Sequence, residues 1–248
     1  MGHSCGTGRL RRRAQQPVRV VAAKSIMAGL LAVLAVFLFE ATASAAGTRN
    51  AAELAKAKKS LLVLSDLPKG WTSSKSSNNN APFPGAAQLA SCIGVPTSVI
   101  TSNPPSVLSP EFDSKNQLLS AQDSVQVYRS TKAAQTDFAS LANPKTPRCM
   151  TTDLNGTGKA AFESQIGPGA VVGNVVVTRT PTSDYASHTT DVTMFFPLIT
   201  QGTTANLELT LVDFVRGKEE QTVMLIAGES TFPISLARHL TTVADGRI

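Results

Sequence analysis

Four β-rich segments dominate the second half of this 248-residue chain, and they follow one another through short connections. In one of them Leu207, Leu209 and Leu211 alternate with polar residues, which is the two-residue period of a strand. Gly217 and Lys218 form a link of the kind that closes a β-hairpin. Consecutive strands with short links pair antiparallel, so the pattern predicts an antiparallel meander. The predicted strands cover 170–179, 189–199, 206–216 and 221–228.

Helical patterns flank these strands along the sequence. Ser130 or Thr131 suits the N-cap of a helix that runs to residue 142, with apolar residues at helical spacing. A last helix has Thr231 as its cap and Pro233 in its first turn. The sequence also predicts helices at 50–64, 84–93 and 147–154, a strand at 124–129, and loops at 73–84, 101–116 and 155–169.

These elements predict an α+β fold. An antiparallel sheet of about four to six strands is expected to be covered on one face by N-terminal, middle and C-terminal helices. About 200 residues is an ordinary size for one domain with a real hydrophobic core.

The first 45 residues have the layout of a secretory signal peptide. Six basic residues precede an apolar run from Ile26 to Phe39, and small residues with overlapping Ala-x-Ala sites follow at 41–46. This order predicts export and cleavage, which leaves residues 46–248 as one extracytoplasmic domain. The apolar run stops at Glu40, short of the roughly 20 residues of a membrane span, and an uncleaved N-terminal anchor is the alternative.

Most of the positive charge belongs to this leader. The chain contains 23 Lys and Arg against 17 Asp and Glu, a net charge of +6, and residues 1–45 hold six of the basic residues and one acid. The remainder therefore carries only +1. A nucleic-acid binder needs a basic face to neutralise phosphates, so no nucleic-acid partner is expected.

Cysteine usage agrees with an oxidising compartment. Cys5 lies in the leader, which leaves Cys92 and Cys149 in the exported part. Two cysteines in an exported domain are most simply explained by one disulfide. Two buried free thiols are the alternative.

One polar segment contains the residue types of a hydrolase. Ser183, Ser187, His188 and Asp191 could supply a nucleophile, a base and an orienting acid. They fall in a predicted strand connection, and the chain has no Gly-x-Ser-x-Gly elbow. We interpret the segment as a polar turn, with an extracytoplasmic hydrolase built on His188 as the alternative.

Other titratable residues are assigned to ordinary structure. Glu219 and Glu220 are adjacent in a hairpin, so they point to opposite faces, and the tip is expected to be solvated. His239 is expected on the surface of the last helix. Residues 153–158 resemble a calcium loop only faintly, since Ser164 stands where such a loop needs glutamate, and a turn is expected. The sequence predicts no catalytic residue, metal or cofactor.

The segment 66–71, Asp-Leu-Pro-Lys-Gly-Trp, carries a resemblance to a family. It matches the "DLPxGW" opening common in exported sensor-like and lipoprotein-like domains of actinobacteria, a largely uncharacterised family. Segments 89–94, 109–112, 125–128 and 138–149 fit the same pattern, so the resemblance covers about residues 60–155. It implies an extracellular ligand-binding or sensor-type domain. Nothing in the chain resembles the kinase domain of the receptor relatives, and no cysteine follows the apolar run as it does in the lipoproteins.

The matched motif also gives its own residues a structural role. Pro68 disfavours helical geometry at Leu67 and is expected to end the first helix. Trp71, the only tryptophan, is expected to pack over the sheet edge. A place for Trp71 in a ligand cleft is the alternative.

Taken together, the sequence predicts a non-enzymatic, exported cell-envelope or secreted domain that binds a small or lipidic ligand or a wall component. The His188 hydrolase and a protein-interaction module beside a membrane partner are the alternatives. Contact with a membrane is expected only through the N-terminal segment, if that segment is not cleaved.

Overall fold

The computed structural model describes residues 48–76, 85–166, 170–180, 189–200 and 203–248, so the predicted signal peptide lies outside the described residues. Within these ranges no helix is long and apolar enough to cross a membrane. The helices are α1 (Thr48–Ser60), α2 (Ala86–Ile93), α3 (Thr97–Ile100), α4 (Thr131–Leu141), α5 (Thr146–Asn155), α6 (Thr157–Ile166) and α7 (Ile234–Asp245). The strands are β1 (Thr72–Ser74), β2 (Ser106–Leu108), β3 (Glu111–Asp113), β4 (Leu119–Val127), β5 (Ala170–Val172), β6 (Val176–Thr178), β7 (Thr189–Thr200), β8 (Thr203–Arg216) and β9 (Glu219–Gly228).

All nine strands join one antiparallel sheet with the order β1-β3-β4-β9-β8-β7-β5, and β2 and β6 pair with β4 and β7. The strands β7, β8 and β9 form the predicted meander. Gly217, at a φ of +62°, supplies the left-handed backbone that the β8–β9 hairpin needs. The predicted α+β class and antiparallel sheet are therefore confirmed, with nine strands among the described residues in place of the four to six expected.

Helices cover both faces of this sheet, not the single face that the sequence analysis expected. In β9, Met224 and Ile226 contact one apolar cluster while Val223 and Leu225 contact another on the opposite side. A strand that is apolar at every position must be buried on both faces. The middle helices α2 and α5 occupy one face, here called the disulfide face, and α1 and α7 occupy the other, here called the terminal-helix face.

The disulfide face has an apolar end. Leu89 and Ile93 of α2 and Met150 and Leu154 of α5 pack there against the apolar side chains of β7, β8 and β9. A bond between Cys92 and Cys149, with their Cα atoms 5.8 Å apart, links the two helices. These helices are therefore fixed both to the sheet and to each other.

The terminal-helix face is closed by both ends of the described chain. Leu240 and Ala244 of α7 pack on β9, and α1 packs through Ala57 on β4. Arg247 donates two hydrogen bonds of 2.7 Å to the carboxylate of Asp66 and holds the C-terminal end against the loop after α1. Burial raises the pKa of Asp66, but the hydrogen bonds from Arg247 and from the Val63 N–H, together with the charges of Arg247 and His239, outweigh it, and the pKa lies below its ordinary value.

Several stretches differ from their sequence-based predictions. The stretch 101–116 was expected to be a loop, yet it contains β2 and β3. The glycine-containing stretch 155–169 was expected to be a loop, yet α6 occupies 157–166. The strand expected over 170–179 is divided into β5 and β6, because Gly173 packs against Pro197 of β7, where a Cβ atom would lie 2.9 Å from the Pro197 Cβ. The glycines of the last two stretches did not show from sequence that a helix starts in 155–169. They also did not show that a bulge interrupts the strand over 170–179.

Candidate functional site

The helix α4 lies between an open groove and the polar end of the disulfide face. Ser130 caps it by accepting a hydrogen bond of 3.1 Å from the backbone N–H of Ala133, as its sequence predicts. The helix rests on β7, β8 and β9. One side of α4 therefore faces the sheet, and another side faces solvent.

The groove on the solvent side has a volume of about 410 Å³. One wall is Val95, which follows α2, and the other is α4. The side-chain amide of Asn143 donates to the carbonyl oxygen of Ile93 at 3.3 Å and closes one end. The disulfide fixes the α2 wall of the groove to α5. Its lining residues are Val95, Lys132, Gln135, Thr136, Ala139, Ser140 and Asn143.

Polar side chains from four strands meet on the sheet beneath α4. The strand register places Ser124, Thr222, Asp213 and Thr190 in one row, and Glu220 lies two residues before Thr222 on the same side of β9. Asp213 is 1% exposed and Glu220 3% exposed. The disulfide face thus changes from apolar under α2 and α5 to acidic under α4.

Asp137 of α4 completes this acidic cluster, which consists of Asp137, Asp213, Glu220 and Tyr128. The hydroxyl of Tyr128 lies against the carboxylates of Asp137 and Glu220 and against Gln126 Oε1, the last at 2.7 Å. The hydroxyl of Thr222 donates to Asp213. The second carboxylate oxygens of Asp213 and Glu220 are buried and have no hydrogen-bond partner.

Burial sets the protonation of the cluster. It raises the pKa of Asp213 to about 7, and it raises the pKa of Asp137. Burial, and then the charges of Asp137 and Asp213, raise the pKa of Glu220 well above its ordinary value. Burial with the charges of Glu220 and Asp137 also raises the pKa of Tyr128, so the phenol stays protonated. These carboxyl groups hold protons under conditions in which exposed carboxyl groups are ionised.

Arg179 joins the end of α4 to the sheet. Its guanidinium donates to the carbonyl oxygens of Leu141 and, at 3.0 Å, of Asn143, at the C-terminal end of the helix. It also donates to the hydroxyl of Thr190 on β7. Burial lowers the pKa of Arg179, and the charges of Asp191 and Asp213 oppose that effect. A cation at a helix C-terminus interacts favourably with the helix dipole.

Trp71 lies away from both the groove and the acidic cluster. It is partly buried and packs against the apolar cluster of the terminal-helix face, which includes Leu67 and Phe112. The preceding residue, Gly70, has a φ of +91°, which turns the chain before the tryptophan. The place of Trp71 in a ligand cleft stays a prediction.

Of the four residues that could build a hydrolase, three lie outside the described residues: Ser183, Ser187 and His188. The fourth, Asp191, is fully buried, and one of its oxygens accepts a hydrogen bond from the backbone N–H of Thr180. Burial raises its pKa. His239 is exposed, as predicted, and its ring lies 3.1 Å from the carbonyl oxygen of Asp66. No contact among the described residues supports the hydrolase interpretation.

The expected solvated tip at Glu219 and Glu220 is wrong. The two side chains do point to opposite faces, but both are buried. Lys56 of α1 reaches Glu219 at 2.8 Å on the terminal-helix face, while Glu220 lies under α4 on the disulfide face. Helices packed on both sides of the hairpin remove these two carboxylates from solvent, whereas Gly217 and Lys218 of its turn are exposed.

Sequence reasoning missed the acidic cluster, although a signal was present. Asp137 stands three residues after Ala134 and four before Leu141, which places it on the buried side of its helix. Asp213 continues the alternation of Leu209 and Leu211 in β8. A carboxylate inside an apolar pattern is the mark of such a site. In the described part of the chain, no three His, Cys, Asp or Glu side chains are arranged to hold a metal ion.

No model of a known protein family matches the chain, and no curated protein matches it. Among solved structures, it is similar to the extracellular domain of PknH from Mycobacterium tuberculosis, with 10% sequence identity and a TM-score of 0.41. The match covers 78% of this chain and 95% of that chain. A likeness at this level does not establish a shared function, which is therefore inferred from the site.

Proposed function

We propose that this protein is an exported, non-enzymatic domain of the cell envelope that binds a small or lipidic ligand in the groove along α4. The observation that carries this proposal is the groove itself, whose α2 wall is fixed by the disulfide and whose two walls are joined by the Asn143–Ile93 hydrogen bond. Preformed concave sites with a few polar groups are where small ligands usually bind.

The lining indicates the chemistry of the ligand. Val95 and Ala139 offer apolar surface, and Lys132 brings the one cationic side chain of the lining. Gln135, Thr136 and Asn143 add groups that donate and accept hydrogen bonds. An amphipathic molecule with an anionic head fits this combination.

Binding can be tested by titrating the purified domain with a dansyl-labelled fatty acid. We expect Ala139→Trp, which fills the groove, and Lys132→Glu to weaken binding at least about tenfold. Lys58→Glu is the matched control, because it makes the same charge change on α1, across the sheet, and should leave affinity within about twofold. Saturable binding that is equal in all three variants would contradict the groove as the site.

The export part of the proposal rests on the N-terminal pattern and on a disulfide in the fold. Expression of the full chain should yield a protein outside the cytoplasm whose N-terminus begins near residue 46. Recovery of the intact chain in the cytosol, with both cysteines reactive to an alkylating reagent, would contradict it.

A protein-interaction module is the second candidate, and a specific surface favours it. On the terminal-helix face of β5, β6 and β7, apolar side chains that are 38–50% exposed lie near one another. Exposed apolar patches of this kind are common at protein contacts. Phe195→Ser would weaken such a contact without touching the groove. The residues are Val171, Val176, Phe195 and Ile199.

A further inference from the structure

The helix α4 is held on the sheet mainly by polar contacts, with Ala134 as its fully buried apolar side chain. None of its described side chains belongs to the three apolar clusters of the described residues. It is instead attached through the contact of Asp137 with Tyr128 and through the hydrogen bonds from Arg179 to its C-terminal carbonyl oxygens. An element with few apolar contacts opens at low free energy.

The contact between α4 and the sheet needs an additional proton. The hydroxyl of Tyr128 has one hydrogen atom, yet it faces two carboxyl groups, Asp137 and Glu220, besides the amide of Gln126. If one of the two carboxyl groups is protonated, it donates to the phenol oxygen while the phenol donates to the other. If both are ionised, the single phenol hydrogen serves only one of them, and the other contact places two acceptors together.

Asp213 and Glu220 add two further acids to the same buried space. Each has one buried oxygen without a partner, and each lies on the sheet side of α4. Arg179 is the cation that acts on this region, and Asp191 shares its charge. Ionisation of all three acids of the cluster would place three negative charges beneath the helix with one partly shared cation to balance them.

We propose that α4 is a pH-controlled element, which the acidic cluster holds against the sheet while its carboxyl groups are protonated and releases when they lose their protons to solvent. Because α4 forms one wall of the groove, its release lowers ligand affinity as the pH rises. The affinity part rests on the proposed function, whereas the movement of α4 does not.

The direction of the pH effect on α4 follows from the sign of the pKa shifts in the acidic cluster. Each acid of the cluster has a pKa in the folded protein above its ordinary value, which is about 7 for Asp213. Such groups favour the closed state at low pH, and this contribution is lost as the pH rises toward the folded pKa. The helix should therefore be closed near pH 5 and progressively released as the pH rises to and beyond about 7.

Hydrogen exchange of the folded protein measures this release without any ligand. Between about pH 5.5 and pH 8.5, and after correction for intrinsic rates, we expect the protection of 131–141 to fall at least about tenfold. Protection of α5, which is anchored by the disulfide, should change much less. Fluorescence of Trp71, which packs on the opposite face, should stay constant and exclude global unfolding. Equal changes in α4 and α5 would overturn the proposal.

Substitutions in the acidic cluster test which carboxyl groups control the release of α4. The double substitution Asp213→Asn with Glu220→Gln replaces both acids with neutral amides of the same shape, and it should remove most of the pH-dependent loss of protection. Glu111→Gln is the matched control, because burial also raises the pKa of Glu111 to about 7, but it lies on β3, away from α4. Should the double variant fail to fold, each single variant should still reduce the loss. A loss that persists in every folded variant would overturn the proposal.

A ligand measurement separates the two parts of the proposal. The affinity for a dansyl-labelled fatty acid should fall at least about tenfold over the same pH range in the native protein, and not in the double variant. If α4 loses protection but affinity is constant, the groove is not the binding site and the link to affinity is overturned.

Discussion

At the scale of single residues, the role of each buried carboxyl group in this protein depends on its hydrogen-bond partners. Asp123 is fully buried on the terminal-helix face, where its oxygens accept hydrogen bonds from the backbone N–H of Leu62 and from the side chain of Gln221. Asp213 is equally buried but has one oxygen without a partner. Asp123 therefore fastens the chain after α1 to β4, whereas one carboxylate oxygen of Asp213 makes no hydrogen bond within the described residues.

Asp123→Ala should be strongly destabilising, because it leaves the Leu62 N–H and the Gln221 amide buried without their acceptor. We expect the free energy of unfolding to fall by about 3 kcal/mol, measured by urea denaturation. Glu53→Ala is the control, since it removes an exposed carboxylate 3.4 Å from Lys218 and should change stability by less than about 0.5 kcal/mol. Similar values for the two variants would show that the Asp123 contacts contribute little.

At the scale of elements, the two helices that frame the groove are anchored by different forces. The helix α2 is fixed by apolar packing and by the disulfide to α5. The helix α4 is fixed by hydrogen bonds and by protonated acids. One wall of the groove is thus rigid, and the other depends on solution conditions.

Removal of the disulfide should weaken the whole fold. It joins residues separated by 57 positions, and a closed loop of that length restricts the unfolded chain by about 4 kcal/mol. The double variant Cys92→Ala with Cys149→Ala should therefore unfold at a lower urea concentration than the oxidised native protein. Dithiothreitol should destabilise the native protein and leave the double variant unchanged. An equal response of both proteins to the reductant would contradict a formed bond.

At the scale of the whole molecule, several buried acids act in the same direction. Burial raises the pKa of Asp123 to about 6 and those of Asp213 and Glu111 to about 7. An acid with a raised folded pKa stabilises the fold most at low pH, and the contribution is lost as the pH rises from the unfolded to the folded value. Stability should therefore be highest on the acidic side of neutrality.

We expect the free energy of unfolding to fall by about 4 kcal/mol between pH 5 and pH 8, mainly because of the two fully buried acids, Asp123 and Asp213. Urea denaturation at a series of pH values, followed by Trp71 fluorescence, measures this slope. Asp213→Asn should flatten it above pH 5. A stability that rises with pH over this range would show that the acids are ionised in the folded protein.

The sequence by itself determined the local elements and the compartment expected for the protein. Alternation in 206–216 and the link at Gly217 specified the β8–β9 hairpin, because strand period and turn conformation are properties of neighbouring residues. The capped helix after Ser130 was specified in the same way. The export pattern and the two cysteines are likewise local or compositional signals.

Only the tertiary structure decided which faces the helices cover and which groups they bury. Glu220 was expected in solvent and lies under α4, and Asp137 and Asp213 lie close enough for their charges to interact although they are 76 positions apart in the chain. Burial, pKa and the groove depend on atoms that come together from distant segments. No local pattern contains that information, because the environment of a side chain is set by the packing of the whole sheet and its helices.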